Sequence, residues 1–186
     1  MKILSGLESQ DSGTINYDSK IINDDVIIGS MIEEPAFYPN LSGYENRYLL
    51  SLLDKKITKE IINTTLHSLG LDEKKDVLYK DYSIGMKKRL YLASALLKES
   101  NILLLDEPFS GIDPISIKII ESIIKQLAVN GTSILITSHN IRELQPLLDK
   151  AIFLEKGEII FNSADIQHID LFDEFTKRVS KSGDAQ

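Results

Sequence analysis

Two adjacent acids close an apolar run in the stretch NILLLDEPFSGIDP, residues 101–114. Ile102 to Leu105 lead straight into Asp106 and Glu107, and a proline follows. In an open parallel sheet, ligands collect beyond the carboxyl ends of the strands. A carboxylate placed there can hold Mg²⁺, directly or through water, beside a phosphate chain. The next carboxylate along the backbone points elsewhere and can orient or deprotonate a water. A second apolar segment, SILITS (133–138), runs into His139, whose imidazole can contact a terminal phosphate or steady an attacking water. Taken singly, an Asp-Glu pair at a strand end reads as two solvent-facing caps and a lone histidine there as a structural residue; only their combination with further motifs reverses that.

A third group has the chemistry of an anion site. Ser83 and Gly85 sit where a helix begins. The first N–H groups of a helix and the positive end of its dipole attract phosphate. A serine adds a hydroxyl donor, and a glycine lets the backbone come close. An ordinary serine cap explains Ser83 alone just as well.

These groups need elements to position them. The segments GTINYDSK (13–20) and VIIGSMIE (26–33) read as strands. TKEIINTTLHSLG (58–70) reads as a helix, with Ile61, Ile62, Thr65, Leu66 and Leu69 on one face and Gly70 as its stop. KKRLYLASALLKE (87–99) is a second helix with Leu90, Ala93 and Leu97 in a stripe. A strand follows at Ile102 to Leu105. Asp113 and Pro114 then read as the cap and first residue of a helix striped by Ile120, Ile123, Ile124 and Leu127 and ended by Gly131. SILITS reads as a second buried strand. A short helix near Asn140 to Leu148, a hairpin over AIFLEKGEIIF (151–161) turning at Lys156-Gly157, and a frayed polar tail after Ser180 complete the chain. Strands alternating with helices indicate an α/β protein with a parallel sheet.

Bulk composition narrows the function classes. A length of 186 residues fits one domain with a substantial core. The net charge of -7 argues against non-specific binding to nucleic acid, so none is expected as a partner. The chain has no cysteine, which excludes disulfides and thiolate metal sites. No apolar run approaches the ~20 residues that span a bilayer, and the first ten residues lack a signal-peptide core. The expected location is the cytoplasm, with any membrane role supplied by a partner. His67 and His168 belong to no constellation and read as surface or packing residues; the charges of LDEKKD (71–76) read as a solvated loop.

Taken together, the motifs resemble one family. ILLLDEP (102–108) resembles the Walker B strand of ABC-type ATPases, SGIDP (110–114) their D-loop and TSHN (137–140) their switch histidine. YSIGMKKRLYLASALL (82–97) is similar to their signature motif and its helix, and IGSMIEEPAFYPNLSGYEN (28–46) to their Q-loop region. All five stand in the family's order. The resemblance implies a P-loop NTPase-like parallel sheet of the ABC ATPase type with a helical signature subdomain. It divides the chain into a Q-loop and signature region (28–100), a Walker B, D-loop and switch core (101–161) and a C-terminal helix and tail (162–186).

It also implies roles. Asp106 would hold Mg²⁺, Glu107 would activate water and His139 would contact the γ-phosphate of ATP. Ser83, Gly85 and Asp113 would serve the nucleotide of a second ATP-binding subunit across a head-to-tail dimer. Glu33 stands where the family usually has Gln and would add a negative charge near metal and nucleotide. Ile84 and Met86 depart from the family's Gly and Gln. The Q-loop wording resembles the lantibiotic/bacitracin-type subgroup that exports antimicrobial peptides or confers immunity to them. An integral membrane permease subunit is the implied second partner, docking near Tyr38, Tyr44 and Tyr48, with the chain at the inner face of the membrane.

No G-x-x-x-x-G-K-[ST] phosphate loop occurs in the sequence. The first residues resemble the segment directly after that loop in the family. The expectation is therefore an ATPase subunit truncated at its N-terminus, unable to hydrolyse ATP alone. Losing three charge-assisted hydrogen bonds to phosphate would remove about 5 kcal/mol of ATP affinity. The alternatives are a non-hydrolytic partner lending its signature motif to an intact ATPase, or an inactive remnant. The Leu-rich strand ending at Asp106 is expected to lose a neighbour and expose unpaired backbone.

Overall fold

The computed structural model describes residues 1–17, 26–32 and 35–183. The chain divides into two compact units, Met1–Thr137 and Ser138–Gln186.

The first unit is built on a three-stranded parallel sheet of β1 (Ile28–Met31), β2 (Ile102–Asp106) and β3 (Ser133–Thr137), in the order β1-β2-β3. Ile28 pairs with Ile102, and Asp106 with Thr137. Leu103, Leu104 and Leu105 are all at most 2% exposed, so β2 is covered on both faces; consecutive apolar residues suit such a strand. The helices are α1 (Gly43–Ser51), α2 (Lys59–Ser68), α3 (Ile84–Leu96) and α4 (Pro114–Val129). The α3 stripe of Leu90, Ala93 and Leu97 is buried, as are Ile62, Leu66 and Leu69 of the α2 stripe and Ile120, Ile123 and Ile124 of α4. Gly70, at φ +62°, ends α2 in the left-handed conformation that glycine adopts without strain. α3 packs tightly on β1: a Cβ on Gly29 would lie 2.4 Å from the Ala95 carbonyl oxygen.

Several expectations need correction. β2 is the central strand, hydrogen-bonded on both sides, so it exposes no unpaired edge. The edges among the described residues are β1 and β3, each paired only with β2; Leu135 of β3 is 40% exposed. SILITS is thus an edge strand and not a buried one. Residues 13–17 form no strand: Gly13 turns the chain at φ +87°, and no partner strand pairs with them among the described residues, while residues 18–20 fall outside the described residues. Of the strand expected over 26–33, residues 28–31 form β1, residues 26, 27 and 32 do not, and residue 33 lies outside the described residues. α3 begins three residues before Lys87, where Ser83 caps it. α1 was not foreseen.

The second unit holds α5 (Ile141–Leu144), an antiparallel hairpin of β4 (Ala151–Glu155) and β5 (Glu158–Ser163), and α6 (Leu171–Gly183). The turn is where it was expected: Lys156 and Gly157 both have positive φ, as a two-residue hairpin turn requires. Ala151, Phe153, Ile166 and Leu171 form its core. α6 continues to Gly183, beyond the Ser180 at which fraying was expected. No helix among the described residues is long and apolar enough to cross a membrane.

Candidate active site

The carboxyl end of β2 is built from two adjacent strands. Asp106 and Thr137 face each other in register, and the Thr137 hydroxyl donates a hydrogen bond to Asp106 Oδ1. That bond orients the carboxylate. The backbone then breaks sharply. Glu107 has φ +48°, in the left-handed region, which costs a non-glycine residue about 1–2 kcal/mol. Such a conformation persists only where its surroundings over-determine it. Here they do. The Glu107 N–H donates to the Thr137 carbonyl at 3.1 Å, and the Glu107 carbonyl accepts from Ser110 N–H at 3.3 Å and from Lys88 Nζ at 3.2 Å. Phe109 beyond the turn is 3% exposed and anchors it.

The donor set suits a small hard cation. Two carboxylates and a hydroxyl are hard oxygen donors. Among the described residues no three His, Cys, Asp or Glu side chains gather into a metal cage. Mg²⁺ is typically held by one or two carboxylates together with substrate phosphates and waters, so this strand end fits that ion.

The second cluster lies where α3 and α4 begin. Ser83 is exposed and caps α3, its Oγ accepting from Met86 N–H at 3.2 Å. Asp113 caps α4: Oδ1 accepts from the N–H groups of Ile115 (3.1 Å) and Ser116 (2.9 Å), and Oδ2 from the Ser116 hydroxyl (2.7 Å). The Ser116 hydroxyl and N–H hold the Asp113 carboxyl below its usual range. Gly85 fits between these groups. A Cβ there would lie 2.3 Å from Asp113 Oδ2 and 2.4 Å from Ser116 Oγ. The close approach that Gly85 permits is therefore to the cap of α4. Arg89, one turn along α3, donates through Nη1 to the carbonyls of Leu69 (2.8 Å) and Gly70 (3.1 Å), closing the carboxyl end of α2. Burial lowers its pKa, and Asp113 opposes that shift.

Of the site residues expected from sequence, Asp106 and Glu107 share one turn, and Ser83, Gly85 and Asp113 share the α3–α4 junction. α3 joins the two groups through Lys88. His139 belongs to the second unit. Glu33 lies outside the described residues. Lys88, Thr137, Arg89 and Ser116 were not singled out. A clue existed for Ser116, three residues after the capping Asp113, where a side chain returns to the cap. His67 is exposed and lies 3.2 Å from Asp72, a surface pair.

α1 has an unusual distribution. Ser42 caps it in a reciprocal box with Glu45, at 2.7 and 3.1 Å. Its buried residues are Gly43, Asn46, Arg47 and Ser51, whereas Leu49, Leu50, Leu52 and Leu53 are 37, 38, 62 and 85% exposed. The Arg47 guanidinium is fully buried 4.3 Å from the centre of the Phe37 ring and donates to Ser94 Oγ; its Nε and Nη2 have no hydrogen-bond partner among the described residues. Burial pulls its pKa down to about 10. Tyr44 and Tyr48 stack at 6.4 Å, and Tyr38 is 62% exposed.

Known proteins resemble this chain. The sequence profile of the ABC transporter family matches residues 1–110. The bacitracin transport ATP-binding protein BcrA of Enterococcus faecalis is 37% identical over 166 residues, covering 86% of this chain and 54% of that protein. The lantibiotic transport ATP-binding protein SrtF of Streptococcus pyogenes is 38% identical over 162 residues, covering 86% of this chain and 70% of that one. The linearmycin resistance ATP-binding protein LnrL of Bacillus subtilis is 32% identical over 168 residues, with 86% and 54% covered. The chain thus spans about half the length of several curated relatives it matches. In architecture it is similar to the ATP-binding cassette MJ0796, solved as a dimer bound to ADP and Pi, with a TM-score of 0.73 at 20% identity over 87% of this chain and 77% of that one; the two share a fold. From profile, relatives and motif order alike, this chain belongs to the ABC transporter family.

Proposed function

We propose that the chain is the ATP-binding and ATP-hydrolysing part of an ABC exporter for an antimicrobial peptide or drug, acting with ATP and Mg²⁺. One observation carries this reading: the paired acids at the end of β2, with Asp106 oriented by Thr137 and Glu107 clamped in a left-handed turn. Asp106 holds the metal. Glu107 accepts the proton of the attacking water. His139 contacts the γ-phosphate, and Glu33 adds a carboxylate beside metal and nucleotide. Ser83, exposed at the start of α3, and Asp113 act on the nucleotide of a second ATP-binding subunit. The names of BcrA, SrtF and LnrL support the substrate class. The exposed leucines of α1, with Tyr38 and Tyr48, support docking of a membrane permease on that face, which would hold the chain at the inner side of the membrane.

The test is Glu107→Gln. ATP hydrolysis by the assembled transporter should fall at least ~100-fold, in line with loss of a general base, while ATP binding persists. Unchanged turnover would remove Glu107 from the chemistry.

A second reading is favoured by the exposure of Ser83 at the start of α3. Here the chain lends Ser83, Gly85 and Asp113 to an intact ATPase partner and does not itself turn over ATP. Ser83→Ala should then abolish the partner's activity while Glu107→Gln leaves it intact.

A further inference from the structure

We infer that Lys88 is a positioning residue for Glu107, fixing the peptide on its carboxyl side and so the direction in which Glu107 presents its carboxylate. The inference rests on the reading of Glu107 as the group that activates water. Glu107 is one of two non-glycine residues with positive φ among those described, at +48°. Among the described residues, three groups bond its backbone N–H and carbonyl. Two are backbone groups: the Thr137 carbonyl takes the Glu107 N–H, and Ser110 N–H donates to the Glu107 carbonyl. The third is the Lys88 ammonium, 3.2 Å from the same carbonyl and 19 residues away in sequence. It is the only side chain of the three and the only charged one.

The geometry gives Lys88 a specific task. The carbonyl it holds belongs to the residue whose φ is strained, so its bond resists relaxation of that peptide toward the ordinary right-handed or extended regions. A flexible lysine tied to one carbonyl loses much of its rotamer freedom, and the bond offsets that loss because the donor is charged. Lys88 also sits one turn beyond Gly85 on α3. The helix that begins at Ser83 is thereby tied to the turn that carries Glu107, and displacement of one is felt by the other. Arginine can reproduce the donor; methionine keeps the length without it.

Lys88→Met, Lys88→Gln and Lys88→Arg should be compared by NMR on the labelled chain and by steady-state ATP turnover of the assembled transporter. The expected result is loss of the left-handed Cα and Cβ shifts of Glu107 in the methionine and glutamine variants and their retention in the arginine variant. With it should come a ~10-fold drop in kcat at unchanged KM for ATP, largely restored by arginine. Left-handed shifts that persist in both neutral variants would overturn the proposal. If the shifts depend on Lys88 but Glu107→Gln leaves turnover unchanged, Lys88 still positions Glu107 and it is the water-activating role that fails.

Discussion

α1 and α3 start alike and end in opposite relations to water. Each is capped by a serine whose hydroxyl accepts from the third residue of the helix. α3 then buries Leu90, Leu92 and Ala93 completely and leaves its lysines partly exposed, the ordinary arrangement. α1 buries Asn46 and Arg47 and turns Leu49 and Leu50 outward, and Leu52 and Leu53 directly after it are exposed as well. The polar interior of α1 is satisfied unevenly. Asn46 donates to the carbonyls of Tyr38, Leu41 and Ser42 and accepts from Tyr38 N–H, which pins the loop before the helix. Arg47 leaves two nitrogens without partners among the described residues. The contrast teaches that α3 is held by the core of its own unit, as a helix that positions Ser83, Gly85 and Lys88 must be. α1 instead carries an apolar outer face that costs nothing only when something covers it.

Breaking the α3 side of the contrast should have the largest effect. Gly85→Ala forces a Cβ against Asp113 and Ser116, and urea unfolding should show a loss of about 3 kcal/mol, an overpacking penalty at the upper end of the usual range. Gly85→Ala as stable as the natural chain would mean that the α3–α4 junction is loose.

The α1 side should respond in the opposite direction. Arg47→Met removes a buried charge and should stabilise the chain by about 1–3 kcal/mol. The pH dependence carries the sign. Folded Arg47 releases its proton near pH 10 and the unfolded residue only at higher pH, so the unfolded state binds more protons in the window above pH 10. The cost of burial is full below pH 10 and is relieved as pH rises through that window. The advantage of Arg47→Met should therefore shrink above pH 10. Tyr82, raised by burial to about 12, acts oppositely: its folded form keeps a proton that the unfolded form loses near 10. Only the difference between the variant and the natural chain isolates Arg47.

The two caps give a smaller test. Ser42→Ala removes a buried hydroxyl that accepts from the Glu45 N–H and should cost about 1–2 kcal/mol, whereas Ser83→Ala, at an exposed cap, should cost about 0.5–1 kcal/mol. Equal losses would mean that burial of the α1 cap adds nothing. The smallest effect on stability is expected at Leu53. At 85% exposure, Leu53→Ser should stay within about 0.5 kcal/mol of the natural chain in unfolding while weakening co-purification of the permease. A large loss of stability would show that Leu53 is buried in solution.

The comparison also separates what the sequence makes legible from what it hides. α2, α3 and α4 are visible because their stripes follow the 3.6-residue period and their ends carry Gly70, Ser83 and Asp113-Pro114. β2 is visible because four apolar residues end in acids. α1 is hidden because its pattern is inverted: a periodicity argument looks for leucines inside, and here they are outside. The edge position of β3 is hidden because SILIT is as apolar as a buried strand, and only pairing distinguishes the two. Asp106 and Glu107 are legible as a pair because they are adjacent, and the caps Ser83 and Asp113 because each stands directly before the helix it starts; that Gly85 meets Asp113 is not, because that contact spans 28 residues. The clamp from Lys88 and the bond from Thr137 cross 19 and 31 residues, and such contacts exist only once the sheet and α3 are assembled. Gly85 could be recognised as a point of close approach, but the group approached could not.

The most direct test of the strand end is to replace Mg²⁺ with paramagnetic Mn²⁺ in the presence of ATP and follow the backbone amide signals of the labelled chain. Broadening centred on Asp106 and Thr137, abolished by Asp106→Asn, is the result expected if the carboxyl end of β2 holds the metal. Broadening that centres elsewhere, or that survives Asp106→Asn unchanged, would contradict the assignment of Asp106 as the metal-holding group.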